Sequence, residues 1–324
     1  MGPLVRLHTH LVALLWFACG MFPAPVWAQL SKPDEPGIRL GDEVTVKYKA
    51  GIIVEATSGT VRGLVGLAPV PLDWPEQQVR IDEEDISPSV RDVKFRMLGK
   101  TAKQMVVSVP RLDPGEKAQA LITFEISRRE QLPPADPSIF VVPHRPKRDV
   151  RIFLGTSPGI EARNPKIRKL AHEIIHKDLS AWKQVESLYD WVRGHVTYTN
   201  GPFKGALAAL KDGSGDCEEM TSLFIALCRS SGVPARTVWV PGHCYPEFYL
   251  EDKQRHGYWF PCQAAGDRAF GRMNESRPIM QKGDSFPHPE TPRRKQRYAA
   301  EFVRAEGGSQ PKVRFIRELL GKVD

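Results

Sequence analysis

Between Gly41 and about Arg129 the chain runs in short strand-like segments. Glu43–Tyr48 alternates apolar and polar side chains, and Gly51–Ala56 is a largely apolar, isoleucine- and valine-rich run. Val90–Met97, Met105–Val109 and Ala118–Ile126 follow one pattern or the other. Turn formers such as Gly99-Lys100 and Asp113-Pro114-Gly115 separate them. A period of two places successive side chains on opposite faces of a strand. Short strands with polar turns and no long helical pattern predict an antiparallel β-sandwich over residues 29–130. Gln131–Lys147 then holds Pro133, Pro134, Pro137, Pro143 and Pro146, so residues 131–150 read as a linker.

After Arg151 the period lengthens. Asn164-Pro165 opens a helix, with proline tolerated in its first turn, and Ile167, Leu170, Ile174 and Ile175 give it an apolar stripe. Ser180 caps a second helix in which Trp182, Val185, Leu188, Tyr189 and Val192 share one face and which Gly194 ends. A third helix spans about Cys217–Ser231, with Asp216 as N-cap and Gly232-Val233-Pro234 as its stop. Met220, Leu223, Phe224, Ile225, Ala226, Leu227 and Cys228 leave it little polar face, so it is expected to be buried. Ala235–Val240, His243–Leu250 and Tyr258–Gln263 follow as antiparallel strands, and Arg297–Arg304 with Lys312–Glu318 as a final hairpin. Residues 151–324 are thus expected to form an α+β domain.

Met1–Ala28 has a different texture. Arg6 precedes the apolar run Leu11–Ala18, and Val26-Trp27-Ala28 is a small-x-Ala site before Gln29. This is the layout of a secretory signal peptide, and the run is too short to span a bilayer. Cys19 raises lipid attachment, which the preceding Trp16-Phe17 suits poorly. Export places the protein in the periplasm or outside the cell. There disulfides are allowed, but five cysteines in 324 residues are too few for a disulfide scaffold. The formal net charge of +8 is spread along the chain and does not call for nucleic acid. Arg293, Arg294 and Lys295 form a small basic cluster, read first as a solvated loop and second as an anionic surface contact.

The candidate chemistry centres on Gly215-Asp216-Cys217. A cysteine opening a helix meets free N–H groups and the positive end of the dipole, which favour the thiolate. A thiolate is the nucleophile for acyl transfer, and the same N–H groups can hold an oxyanion. Glu218 and Glu219 oppose the thiolate if they face it, but helix geometry turns both aside. A buried core cysteine is the plain alternative. His243 opens a strand after Pro241-Gly242. A hairpin folded about residue 253 sets His243 opposite Gln263 on one face and Cys244 opposite Cys262 on the other. Gln263 then fixes the His243 ring, while Cys244 and Cys262 are either two core thiols or a disulfide. Tyr198, Trp239 and Tyr245 are candidates for a cleft wall.

The segments GDCEEMTSLFIALCRSSGVPARTVWV, GHCYPEFYLED and YWFPCQ resemble the transglutaminase-like superfamily, which has a papain-like cysteine-protease core. Its pattern is Gly-Asp/Glu-Cys opening the central helix, Gly-Ile/Val-Pro-Ala-Arg entering the next strand, His-Ala-Trp-x-Glu-Val/Phe-Tyr, and Trp-x-Pro-x-Asp. Cys217, Gly232–Arg236, His243 with Glu247 and Tyr249, and Trp259 with Pro261 fall on it, over about residues 164–265. The resemblance implies a cysteine-bearing helix packed on an antiparallel sheet, with the β-sandwich ahead of it. It implies Cys217 as nucleophile and His243 as base, acting on a protein or peptide substrate without a cofactor or metal. Gln263 stands where the family usually has Asp. An amide can orient a histidine but cannot stabilise an imidazolium as a carboxylate does. Asp267 is a substitute acid, and an inactive scaffold kept for protein binding is the non-enzyme alternative. His172-Glu173-Ile174-Ile175-His176 also spells a zincin motif, which makes a zinc metalloprotease the second enzyme reading.

Overall fold

The computed structural model describes Gly37 and residues 39–323, which fall within one compact unit. The signal-peptide reading and Cys19 lie outside the described residues. Six strands build the N-terminal region: β1 (Arg39–Glu55), β2 (Val61–Val70), β3 (Gln77–Ile86), β4 (Asp92–Leu98), β5 (Ala102–Leu112) and β6 (Lys117–Leu132). The two runs read at Glu43–Tyr48 and Gly51–Ala56 are one long strand, β1. Val46, Tyr48, Ala50, Ile52 and Val54 point inward from it at alternate positions. They meet the inward residues of β2, β5 and β6 in one apolar core, which is the sandwich that the alternation predicts.

The expected final hairpin does not form. Lys312–Lys322 pairs with β1, and Phe302–Arg304 pairs with β2. Each covers a strand edge that would otherwise expose unpaired backbone groups, and Ile316 packs against Ile53 and Leu121 on the outer face of the first sheet. Past the end of β6, the expected linker carries only short helical turns at Pro137–Ile139 and Arg148–Arg151, but it is docked. Phe140 is buried against Tyr258 and Phe260, and Val141 bridges to Glu251.

The C-terminal helices are Pro165–Ile174, Ala181–His195, a short Ala206–Asp212 and Cys217–Ser230. Asn164, Ser180 and Asp216 cap three of them. Met220 and Leu223–Cys228 are buried, so the cysteine helix is the central one. It packs on the antiparallel strands Ala235–Val240, His243–Glu251 and Gly257–Gln263. Trp182 adds edge contacts to Phe248, Phe260 and Phe270, and side chains of this size are worth roughly 1.5–3 kcal/mol each when buried. The two-residue strand Gln281–Lys282 pairs with both Ala235–Val240 and β5, so the second sandwich sheet continues into the C-terminal sheet.

That junction is held by buried charge. Glu247, fully buried, accepts from Arg236 at 2.9 Å and from Lys282 at 2.6 Å, and Lys282 also reaches Glu76 of the sandwich at 2.5 Å. The Arg236 guanidinium lies 3.9 Å from the Trp259 ring centre. Burial pushes the Glu247 carboxyl up, but Lys282 and Arg236 outweigh it and hold it below the ordinary range. Its contribution is therefore present at neutral pH and is lost as pH falls through that depressed value. Replacing Glu247 with Gln leaves the buried Arg236 without its carboxylate and Lys282 with Glu76 alone. Urea unfolding is expected to show a loss of about 3–5 kcal/mol.

Candidate active site

Cys217 is the first residue of the helix that Asp216 caps. The Asp216 carboxylate accepts from Glu218 N at 2.7 Å, and Glu219 returns to Asp216 N at 3.1 Å. Neither bond uses the Cys217 N–H, which belongs to the helix turn that lacks intrahelical acceptors. Gly215 permits this geometry, because a Cβ there would sit 2.4 Å from Glu219 Cβ. The two acids beside the cysteine are both occupied. Glu219 is buried and also accepts from Lys204 N at 2.7 Å. Glu218 is ion-paired with Arg297.

His243 begins its strand after a turn in which Gly242 has φ +71°, a conformation that favours glycine. The ring is half-buried and its Nε2 lies 3.0 Å from Gln263 Oε1. An amide oxygen only accepts, so Nε2 carries a proton, which leaves Nδ1 as the ring nitrogen free to act on Cys217. The register differs from the expected one. Glu247 pairs with Pro261 and Phe248 with Phe260, a shift of two residues. A two-residue shift keeps every side chain on its face, so Gln263 still reaches His243 diagonally. Cys262 faces Pro246 instead of Cys244, and both thiols are free. Gln263 is anchored from the neighbouring helix, because its carbonyl accepts from Tyr189 Oη at 2.9 Å and Arg193 at 3.1 Å.

The pair is electrostatically biased. The Cys217 thiol is lowered to about 5, first by a hydrogen bond from Cys244, against the cost of burial, and then by His243. Burial pulls His243 down, but its bonds to Cys217 and Gln263 and the thiolate charge raise it overall. Arg277 opposes that rise. It is clamped by Glu275 at 2.6 Å and donates to Pro241 O at 3.1 Å, in the turn just before His243.

The other sequence candidates separate. Tyr198 is exposed, beside Gly215, and close enough to Cys217 to feel its charge. Trp239 is half-buried, donates to Gly283 O and packs on Tyr298. Tyr245 is no cleft wall. It is completely buried and hydrogen-bonded to Arg128 of β6, because both faces of its strand are covered. Asp267 is exposed, and the His243 ring bonds Gln263. Arg293, Arg294 and Lys295 are exposed, whereas Arg297 lies 3.4 Å over the Phe203 ring. His172 lies in the Pro165–Ile174 helix but His176 lies beyond its end, so the two do not share one helix face. Among the described residues no cluster of three metal-ligating side chains forms. Sequence reasoning missed Cys244 as a neighbour of Cys217, and it missed Arg277 and Arg297. Only the bulk of long-range packing brings these residues in.

Iodoacetamide alkylation of Cys217 is expected to stay fast from neutral pH down to about 5 and to fall below it, as the thiolate takes up a proton. In His243→Ala the inflection moves to higher pH, which a pH series of alkylation rates reads directly.

Residues 168–264 match the family model described as the transglutaminase-like superfamily. A crystal structure from Cytophaga hutchinsonii, named "putative cysteine protease", shares the fold with a TM-score of 0.59 and 17% identity, covering 87% of this chain and 93% of that one. The periplasmic domain of TgpA from Pseudomonas aeruginosa bound to ethylmercury aligns at a TM-score of 0.34 and 15% identity, over 68% of this chain and 90% of that one. No curated protein sequence matches the chain. The chain is thus similar to the transglutaminase-like superfamily over residues 168–264, and it shares its fold with the Cytophaga hutchinsonii structure over most of its length.

Proposed function

We propose that the protein is a cysteine hydrolase or acyltransferase acting on amide bonds, with Cys217 as nucleophile, His243 as proton carrier and Gln263 as the residue that orients the ring. The observation that carries this reading is the His243 ring, held at 3.0 Å by Gln263 Oε1 and close enough to the helix-opening Cys217 to lower its thiol. The Cys217 sulfur attacks the substrate carbonyl carbon, and the Cys217 N–H helps hold the oxyanion. The His243 imidazolium gives its proton to the leaving amine as the C–N bond breaks, leaving a thioester. An incoming water or amine then loses a proton to His243 and displaces the sulfur. Water gives hydrolysis and an amine gives cross-linking. The resemblance to cysteine proteases favours hydrolysis of a peptide.

The thiolate–imidazolium form spans the interval from about 5 upward to the raised His243 value, so the rate profile is bell-shaped within it. Gln263 does not carry the negative charge that usually supports the imidazolium, an observation that also favours a binding scaffold. Alkylation no faster than an ordinary thiol would decide for the scaffold. The layout of Met1–Ala28 supports export, and among the described residues no helix is long and apolar enough to cross a membrane.

Incubation with a mixed peptide-amide library, read by mass spectrometry for cleaved or amine-exchanged products, tests the activity. Cys217→Ala is expected to lower turnover by roughly three orders of magnitude or more. Gln263→Ala, which only frees the ring, is expected to lower it about 10- to 100-fold.

A further inference from the structure

The acyl-transfer steps leave one side chain next to the nucleophile without a chemical step of its own. Cys244 is 2% exposed, on the strand face that meets the cysteine helix, and its thiol donates to the Cys217 carbonyl at 3.6 Å. The same thiol is close enough to the Cys217 sulfur to favour its thiolate form. The family pattern has alanine after the histidine, so nothing in the shared core requires a thiol there. The other two described cysteines differ. Cys228 and Cys262 are fully buried in the core between helix and sheet, and Cys262 turns to Pro246 O at 3.9 Å.

We propose that Cys217 and Cys244 form a peroxide-modifiable dithiol, in which hydrogen peroxide oxidises Cys217 to a sulfenic acid and Cys244 resolves it to a disulfide. The proposal rests on the reading of Cys217 as a reactive thiolate. The Cys217 sulfur, partly open to solvent, attacks one peroxide oxygen. The O–O bond breaks, and the departing hydroxide takes the His243 proton and leaves as water. Sulfur is oxidised by two electrons and the peroxide is reduced. His243, now neutral, takes the Cys244 proton. The Cys244 sulfur attacks the Cys217 sulfur, an S–S bond forms, and the S–O bond breaks. The hydroxide regains the proton from His243, giving a second water. The ladder beyond the sulfenic acid is irreversible, so a resolving thiol in contact with the nucleophile protects it.

The surroundings time the second step. Burial, and then the bond to Cys217 and its negative charge, keep the Cys244 thiol protonated well above its ordinary range. Sulfenic acid formation removes that charge. Cys244 then has a neutral electrophilic sulfur beside it and a base, His243, one residue away.

The test uses the full chain, reduced and freed of reductant, treated with a small excess of hydrogen peroxide, and blocked with N-ethylmaleimide before digestion. The expected result is a peptide pair joined through Cys217 and Cys244, an intact mass lower by two hydrogens, and full return of iodoacetamide-reactive Cys217 after dithiothreitol. In Cys244→Ala, which installs the family's residue, and in Cys244→Ser, Cys217 is expected to gain two or three oxygens and dithiothreitol restores none of its reactivity. Cys228 and Cys262 stay unmodified throughout. Over-oxidation of Cys217 in the wild type at the rate seen in Cys244→Ala, or a bridge to any other cysteine, overturns the proposal. If that happens while Cys217 still alkylates fast, only the resolving role is lost. If Cys217 neither oxidises nor alkylates faster than a free cysteine, the nucleophile reading falls with it. The mass readout requires no substrate, so the two failures are separable.

Discussion

The strand His243–Glu251 is covered on both faces, and the arrangement of the site depends on satisfying both. Its even positions meet the cysteine helix: Cys244 touches the Cys217 carbonyl, and Phe248 packs edge-on against Phe224. Its odd positions carry polar groups into a dry interface, where an unpaired group is costly. Tyr245 takes Arg128, and Glu247 takes Arg236 and Lys282. Because the period of a strand is two, these pairings leave no freedom in where His243 sits. It emerges at the strand's first position, beside the first residue of the helix.

The same interface explains why the sandwich and the C-terminal sheet behave as a continuous structure. Arg128 and Glu76 come from the sandwich side and reach groups on or next to the histidine strand. Breaking a buried ion pair costs far more than the pair contributes net, since the stranded partner stays desolvated. The network therefore specifies one docking geometry rather than adding much stability. Arg277 extends the specification to the turn before His243 by holding Pro241 O, and its own charge is balanced by Glu275.

At the helix terminus the electrostatics are arranged by occupation rather than by removal of charge. Two adjacent glutamates beside a thiolate would ordinarily raise its pKa. Glu219 is consumed by the capping box and Lys204 N, and Glu218 by Arg297. The thiolate is then stabilised by donors: a neighbouring thiol, the imidazole and the open end of the helix. With Gln263 in place of a carboxylate, the donor side of the site carries more of the work. Orientation of the ring comes from an amide whose own backbone is pinned by Tyr189 and Arg193.

The sequence by itself determined the local elements and the chemistry they present. Period-two runs gave the sandwich, the caps at Asn164, Ser180 and Asp216 fixed where three helices begin, and the wholly apolar stretch after Met220 marked the buried helix. Short-range propensity and amphipathic period decide these features, and they are written within a few residues. The Gly-Asp-Cys, His-Cys-Tyr-Pro-Glu and Trp-Phe-Pro-Cys-Gln segments likewise displayed the side chains of the candidate site. Tertiary structure alone decided the rest. The hairpin register moved by two residues because the turn closes between Asp252 and His256, where the Asp252 carboxylate accepts from His256 N at 2.9 Å. Phe302–Arg304 and Lys312–Lys322 left each other for the open edges of β2 and β1, where their backbone groups complete ladders that would otherwise stay unpaired. Cys244 turned toward Cys217 rather than Cys262, and Arg297, at the start of the expected hairpin, became the partner of Glu218. Those outcomes depend on which surfaces meet in three dimensions, and no window of sequence contains that information.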